Sequence, residues 1–145
     1  MRAPLVLTAA IALLAGALAT PALATEGVAD AVFMHTCAPT DELALQVNMP
    51  APDGRRLEMR IWGEALETLA TGQMLMLSMN PNEVRANKDI AICSELGCEP
   101  TKGQLRIGIY RANDFLDGEL LWHNNGEVKS LPFTAHYDNT PTPCG

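Results

Sequence analysis

The four cysteines are the residues of this chain with the most definite chemistry. Cys93 and Cys98 enclose only the turn-forming sequence Ser-Glu-Leu-Gly, so their thiols can meet across a tight loop. Cys37 and Cys144 remain as a widely separated second pair. Because an even set of thiols forms disulfides in an oxidising compartment, we expect the pairs Cys93–Cys98 and Cys37–Cys144. Three alternatives stay open. The cysteines could pair in either of the two other connectivities, form a four-thiolate zinc site, or include a redox-active pair. Zinc and redox sites normally use closer spacings than these.

The methionines offer a second chemistry, since thioethers are soft ligands for copper(I). Met74 and Met76 share one face of a predicted strand, and Met34 stands beside His35. Met79 has the opposite parity and points away from the first pair. One hypothesis is therefore a copper(I) site built from Met74, Met76, Met34 and His35. The competing interpretation is that these methionines fill the core, and the main prediction includes no cofactor.

Large apolar residues stand in polar surroundings at two places. Trp62 and Trp122 lie at or near the ends of predicted strands, and Phe115 with Leu116 interrupts a polar loop over 111–118. Exposed aromatic faces provide contact area for a sugar or a peptide, so these four residues are candidates for partner binding. Burial in the core is the alternative.

Residues 1–24 have the pattern of a cleaved signal peptide. Arg2 precedes an apolar run over 5–19, and Ala22-Leu23-Ala24 places small residues at the last and third-last positions. We expect cleavage before Thr25 and a periplasmic or secreted protein. The alternative is an uncleaved anchor helix, because the segment is about long enough to cross a bilayer.

The net negative charge of the chain limits the classes of partner that it can bind. The formal net charge is −7, and it becomes −8 once Arg2 is removed with the leader. Nucleic acids and anionic membranes reward clusters of Lys and Arg, so we expect neither as a partner of the cleaved protein. A protein or glycan ligand fits better. No serine-nucleophile or metalloprotease motif is present, and the histidines are scattered.

Residues 25–145 are predicted to form a single all-β domain. Turn signals recur at short intervals, and the apolar residues between them mostly alternate, which is typical of strands. We expect a small antiparallel β-sandwich of about seven or eight strands with at most one short helix over 63–72, or else a small β-barrel. The clearest strands cover 42–49, 56–62, 73–79, 89–93, 103–110, 119–123 and 127–137.

Two hairpins can be assigned from the sequence. Pairing Leu45 with Met59 and Val47 with Leu57 puts the apolar residues of both strands on one face. Asn125-Gly126 is the strongest turn signal, because both residues tolerate a positive φ. Pro132 removes a backbone donor, so the strand over 127–137 is expected at an edge or broken there.

These observations predict an exported, disulfide-braced, non-enzymatic binding domain. A periplasmic copper(I) carrier is the second hypothesis. A small secreted hydrolase with an unrecognised site is the third, and it rests on no particular residue of the sequence.

Overall fold

The structure of the chain is a computed structural model that describes residues 27–78, 87–141 and 144. The predicted leader and Met79 lie outside these residues. Within them the chain forms nine strands and one short helix, in the order β1 (Ala29–Cys37), β2 (Leu43–Pro50), β3 (Arg56–Trp62), α1 (Gly63–Glu67), β4 (Met74–Ser78), β5 (Lys88–Ser94), β6 (Gly97–Pro100), β7 (Lys102–Arg111), β8 (Phe115–Asn124) and β9 (Glu127–Asp138).

All nine strands belong to one sheet, in the order β4-β7-β8-β9-β1-β2-β3-β5-β6. The all-β prediction is confirmed. The sandwich is not confirmed, and the sheet is mixed because β1 and β9 run parallel while the other neighbours are antiparallel. The strand β1 joins β9 to β2 and so makes one sheet of what would otherwise be two. Alternation alone does not reveal this, since a curled sheet and two packed sheets both bury every second residue.

The sheet curls into a half-barrel and encloses the core on its inner face. Its two ends approach each other, because β4 and β7 at one end contact β5 near the other. The inner face carries large side chains that are at most 1% exposed, namely Phe33, Leu45, Met49, Leu57, Met59, Ile61, Leu77, Ile90, Leu105, Ile107, Trp122 and Phe133.

The hairpin of β2 and β3 forms with a register that differs from the predicted one. Leu45 pairs with Ile61, and Val47 pairs with Met59. The Ala51 N–H donates to the Arg55 carbonyl at 2.9 Å, so the turn reaches Arg55 and shifts the pairing by two residues. Because side chains alternate with a period of two, this shift leaves the same residues on the core face.

The hairpin of β8 and β9 confirms the Asn125-Gly126 turn, where φ is 50° and 84°. Asn124 pairs with Glu127 directly across it. The expectation for Pro132 is wrong, because β9 is unbroken and lies between β8 and β1. The pairing with β1 starts at Phe133, so the β1 side of the strand has no ladder at Pro132.

Two disulfides brace the sheet. Cys37 at the end of β1 is bonded to Cys144, with a Cα–Cα distance of 5.4 Å, which ties the C-terminal tail to the sheet. Cys93 and Cys98 are direct partners in the β5–β6 hairpin, and their Cα atoms lie 4.0 Å apart. This is the connectivity that the spacing favours, and it is compatible with an extracellular domain.

Candidate functional site

The four residues of the copper hypothesis do not come together. Met74 and Met76 lie on the outer face of β4 with exposures of 49% and 64%, and the Gln104 side-chain amide contacts the Met74 sulfur. Met34 and His35 lie on β1, which the strands β7, β8 and β9 separate from β4. They also project to opposite faces of the sheet, because they are consecutive in a strand.

His35 has a partner of its own on the inner side of the sheet. Its Nδ1 lies 3.1 Å from the Tyr137 hydroxyl, and the two rings meet edge to face with their centroids 5.5 Å apart. This pair is partly buried at the end of β1. The sulfur atoms of Met74 and Met76 are therefore the pair of predicted metal ligands that share one surface.

The four predicted partner-binding residues do not form one surface either. Trp122 and Leu116 lie in the core with exposures of 1% and 0%, and Trp62 packs on the outer face against Ala38 and Ala44. Phe115 is half-buried at the start of β8, where its ring lies 6.0 Å from that of His136. The predicted polar loop is shorter than expected, because β7 extends to Arg111 and β8 begins at Phe115.

A groove forms where two turns meet at one end of the sheet. The pairing of Arg56 with Cys93 sets β3 beside β5, so the β2–β3 turn stands next to the β5–β6 turn. Residues 53–56 and 93–95 line a groove of about 470 Å³ between them. Turns and loops on a rigid sheet are the usual place for binding residues, so this end of the molecule is the candidate site.

An ion pair within one turn forms one wall of the groove. Arg55 Nη2 and Nε donate to Asp53 Oδ2 at 2.6 and 3.0 Å, and the Arg55 backbone N–H donates to Oδ1 at 3.1 Å. The Arg55 guanidinium also lies 5.9 Å from the centre of the Trp122 ring. Arg56 and Glu58 make a longer ion pair of 3.5 Å. Asp53 and Arg55 thus hold both signs of charge together within the turn.

The other wall is the β5–β6 hairpin, which is closed by Cys93–Cys98. Ser94 pairs with Gly97, so the turn has only Glu95 and Leu96 between its strands. Gly97 adopts a φ of 130°, which a side chain would strain. The Leu96 N–H donates to Ser94 Oγ at 3.2 Å. A disulfide across directly paired positions and a glycine at the turn leave this tip little conformational freedom.

Leu96 at this tip is 100% exposed, the highest value among the large apolar side chains that the structure describes. Ser-Glu-Leu-Gly was predicted only as a turn between cysteines, and Leu96 was not among the predicted site residues. The available signal was an apolar residue inside a turn too short to fold it back on the core. Such a position usually carries Asn, Asp or Gly.

A cluster of metal-ligating types occurs at the same place. Glu58, Cys93 and Cys98 offer ligand atoms within 4.8 Å of one another, and Cys93 Sγ lies 3.9 Å from Glu58 Oε2. The two sulfurs are bonded to each other, however, and the thiolate is the form that ligates metals. In this state the cluster is a braced hairpin beside a carboxylate and not a metal centre.

The ion pair of Asp53 with Arg55 in the first wall makes the stability of the fold depend on pH. Hydrogen bonds from the Arg55 guanidinium lower the pKa of Asp53 below its ordinary value of 3.8. A carboxylate with a depressed folded-state pKa stabilises the fold above its unfolded pKa, and that stability is lost as the pH falls through the folded pKa. We expect carbon-detected NMR titration to place the Asp53 midpoint below 3.8 in the wild type. It should move upward in Arg55→Gln, and an unchanged midpoint would show that the pair does not hold in solution.

Comparison of the chain with protein-family models, curated proteins and solved structures found no match. In the part of the chain that the structure describes, no helix is long and apolar enough to cross a membrane. The fold and the site together define a disulfide-braced all-β domain that presents a turn-lined groove.

Proposed function

We propose that the chain is an exported, non-enzymatic binding domain that recognises a protein or glycan through the groove between its β2–β3 and β5–β6 turns. The observation that carries the proposal is the rigid hairpin tip, where Cys93–Cys98 closes a two-residue turn beside this groove. A surface that is ordered before binding loses less entropy when the ligand arrives, which favours affinity.

Export is part of the proposal and is supported by two features. Residues 1–24 have the three-part pattern of a secretory leader, and the two disulfides are of the kind that persists in oxidising compartments. We expect the purified periplasmic or extracellular protein to begin at Thr25 and to contain no thiol that reacts before reduction. A chain that retains its leader, or one with four reactive thiols, would contradict this part.

The chemistry of the groove favours binding over catalysis. Both arginines of the groove are already engaged, Arg55 with Asp53 and Arg56 with Glu58. A catalytic acid or base needs a side chain whose proton affinity suits the transfer and which faces the reacting atoms. Paired charges on a turn supply instead a polar border with fixed donors and acceptors, which is what the rim of an interface requires.

The test compares the wild-type domain with two charge-reversal variants. The immobilised domain is exposed to a glycan array and to the periplasmic and extracellular proteins of the source organism. We expect the wild type to retain a ligand that Glu95→Arg loses, because Glu95 lines the groove. Glu67→Arg, an exposed position in α1 at the opposite end of β3, should keep that ligand. Retention of no ligand, or turnover in a broad hydrolase panel, would overturn the proposal.

A second candidate function is copper(I) binding, and one observation favours it. Met74 and Met76 both expose their side chains on one face of β4, whereas Met49 and Met59 are 1% and 0% exposed. Methionine usually fills core gaps, so two exposed thioethers on one strand face are a candidate site for a soft ion. Met34 and His35 lie too many strands away to complete this site.

The copper candidate is tested by competition with a chromogenic copper(I) chelator. We expect Met74→Leu with Met76→Leu to weaken copper(I) binding by at least about tenfold, equivalent to about 1.4 kcal/mol. Met34→Leu, on β1, serves as the matched control and should leave the affinity unchanged. Equal affinities for the wild type and the double variant would remove this candidate.

A further inference from the structure

From the same hairpin we infer that Leu96 is the anchor of the interface and that it inserts into an apolar pocket, bordered by basic side chains, on a partner protein. The inference rests on the proposed binding function and specifies its ligand. Leu96 occupies the outermost position of the β5–β6 turn and is 100% exposed. The residues that line the groove include no exposed apolar side chain, and Leu96 directly follows the last of them, Glu95.

An exposed leucine by itself has no functional meaning, because single apolar residues are common on protein surfaces. Three further features distinguish this one. The disulfide lies directly below the tip, β6 is the outermost strand of the sheet, and the groove opens beside it. A projecting, rigid tip at a sheet edge can enter a concave site without a clash from neighbouring strands.

The charges around the tip identify the kind of partner. Glu95 directly precedes Leu96, and Glu99 lies on β6 of the same hairpin; both are exposed, and the whole chain has a net charge of −7. Arg55 and Arg56 stand across the groove, but acidic partners within their own strands and turns engage both of them. A pocket bordered by lysine and arginine is therefore complementary to the tip, and such complementarity speeds the encounter and fixes its orientation.

A second copy of the chain is the alternative occupant. The molecule has an apolar groove of about 300 Å³ beside Pro50, Pro52 and Leu131, which is large enough for a leucine side chain. Self-association would bring together two exported chains, each of net charge −8 once the leader is removed, and like-charge repulsion opposes this. Charge therefore favours a basic partner over a second copy.

The experiment uses the full chain exported by the source organism, with a benzophenone amino acid in place of Pro100, an exposed residue at the end of β6, as the probe. Light should attach one partner protein next to the hairpin, and mass spectrometry identifies it. We expect the adduct to be lost in the Leu96→Asp variant and kept in Leu96→Met. The matched control is Leu43→Asp, because Leu43 is also exposed, at 51%, and lies at the other end of β2.

The purified partner then allows a direct affinity measurement on chains without the probe. We expect Leu96→Asp to weaken binding by about ten- to hundredfold, which is the contribution of fully burying one leucine side chain. Added salt should also weaken the wild-type complex, because it screens the attraction between the acidic tip and the basic partner.

The outcomes separate the inference from the proposed function. If the wild type and Leu96→Asp bound the partner equally well, Leu96 would not be the anchor, but the proposed binding function would be unaffected. An adduct of twice the chain mass, abolished by Leu96→Asp, would show that a second copy occupies the tip and would overturn the basic partner. Absence of any ligand in the retention experiment would overturn the binding function and the anchor together.

Discussion

Replacement of Cys37 and Cys144 by serine is expected to lower the free energy of unfolding by about 5 kcal/mol, the largest stability effect we predict. The bridge spans a sequence separation of 107, and a crosslink removes more entropy from the unfolded chain as its loop grows. Cys93–Cys98 spans a separation of only 5, so its replacement should cost about 2 kcal/mol. Since small domains are stable by only about 5–15 kcal/mol, loss of the long bridge removes a large share of the total.

Urea unfolding followed by circular dichroism measures both effects. The Cys93→Ser, Cys98→Ser variant is the matched control, because it removes the same chemical bond with a much shorter loop. The order of stabilities is the critical result. If the short-loop variant were the less stable of the two, strain or native contacts at the hairpin would outweigh chain entropy, and the predicted role of the long bridge would be wrong.

The fold could be predicted from the sequence as far as local periodicity extends. The alternation of Leu45, Val47 and Met49 identifies a strand and its buried face, and Asn125-Gly126 identifies a turn. The strand β1 was not assigned from the sequence, because its outer face carries the apolar Met34 and its inner face carries the polar His35. These two residues obscure the alternation that identifies a strand. Its parallel pairing with β9 joins distant parts of the chain, and no local pattern encodes that contact.

The site was less accessible to sequence reasoning, as Trp122 illustrates. Leu120, Leu121 and Trp122 are three consecutive apolar residues, so alternation cannot decide which of them faces the core. The structure buries Leu120 and Trp122 and leaves Leu121 half-buried on the outer face. Leu96 is the converse case, since its exposure follows from the length of the turn and the pairing of Cys93 with Cys98.

Truncation of Trp122 should be the most destabilising single core substitution in the group of residues that were candidates for partner binding. The side chain is 1% exposed and is the largest of the fully buried ones. Trp122→Ala is expected to lower the free energy of unfolding by about 3–5 kcal/mol, through lost apolar burial and the cavity that remains. It also removes the ring on which the Arg55 guanidinium lies at 5.9 Å. The groove wall should therefore loosen together with the core.

Trp122→Phe separates the ring from its polar atom. The indole N–H is buried and has no hydrogen-bond partner among the described residues, and such a donor costs about 1–3 kcal/mol of desolvation. Phenylalanine lacks this donor, so the stability lost with the smaller ring is partly offset. We therefore expect the free energy of unfolding to fall by less than half as much as in Trp122→Ala. Circular dichroism is the suitable readout, because the substitution removes a fluorophore.

Leu96→Ala, at a fully exposed position, should change stability by no more than about 0.5 kcal/mol. If phenylalanine proved as costly as alanine, the N–H would have a partner in solution, and the burial of Trp122 would need another physical explanation.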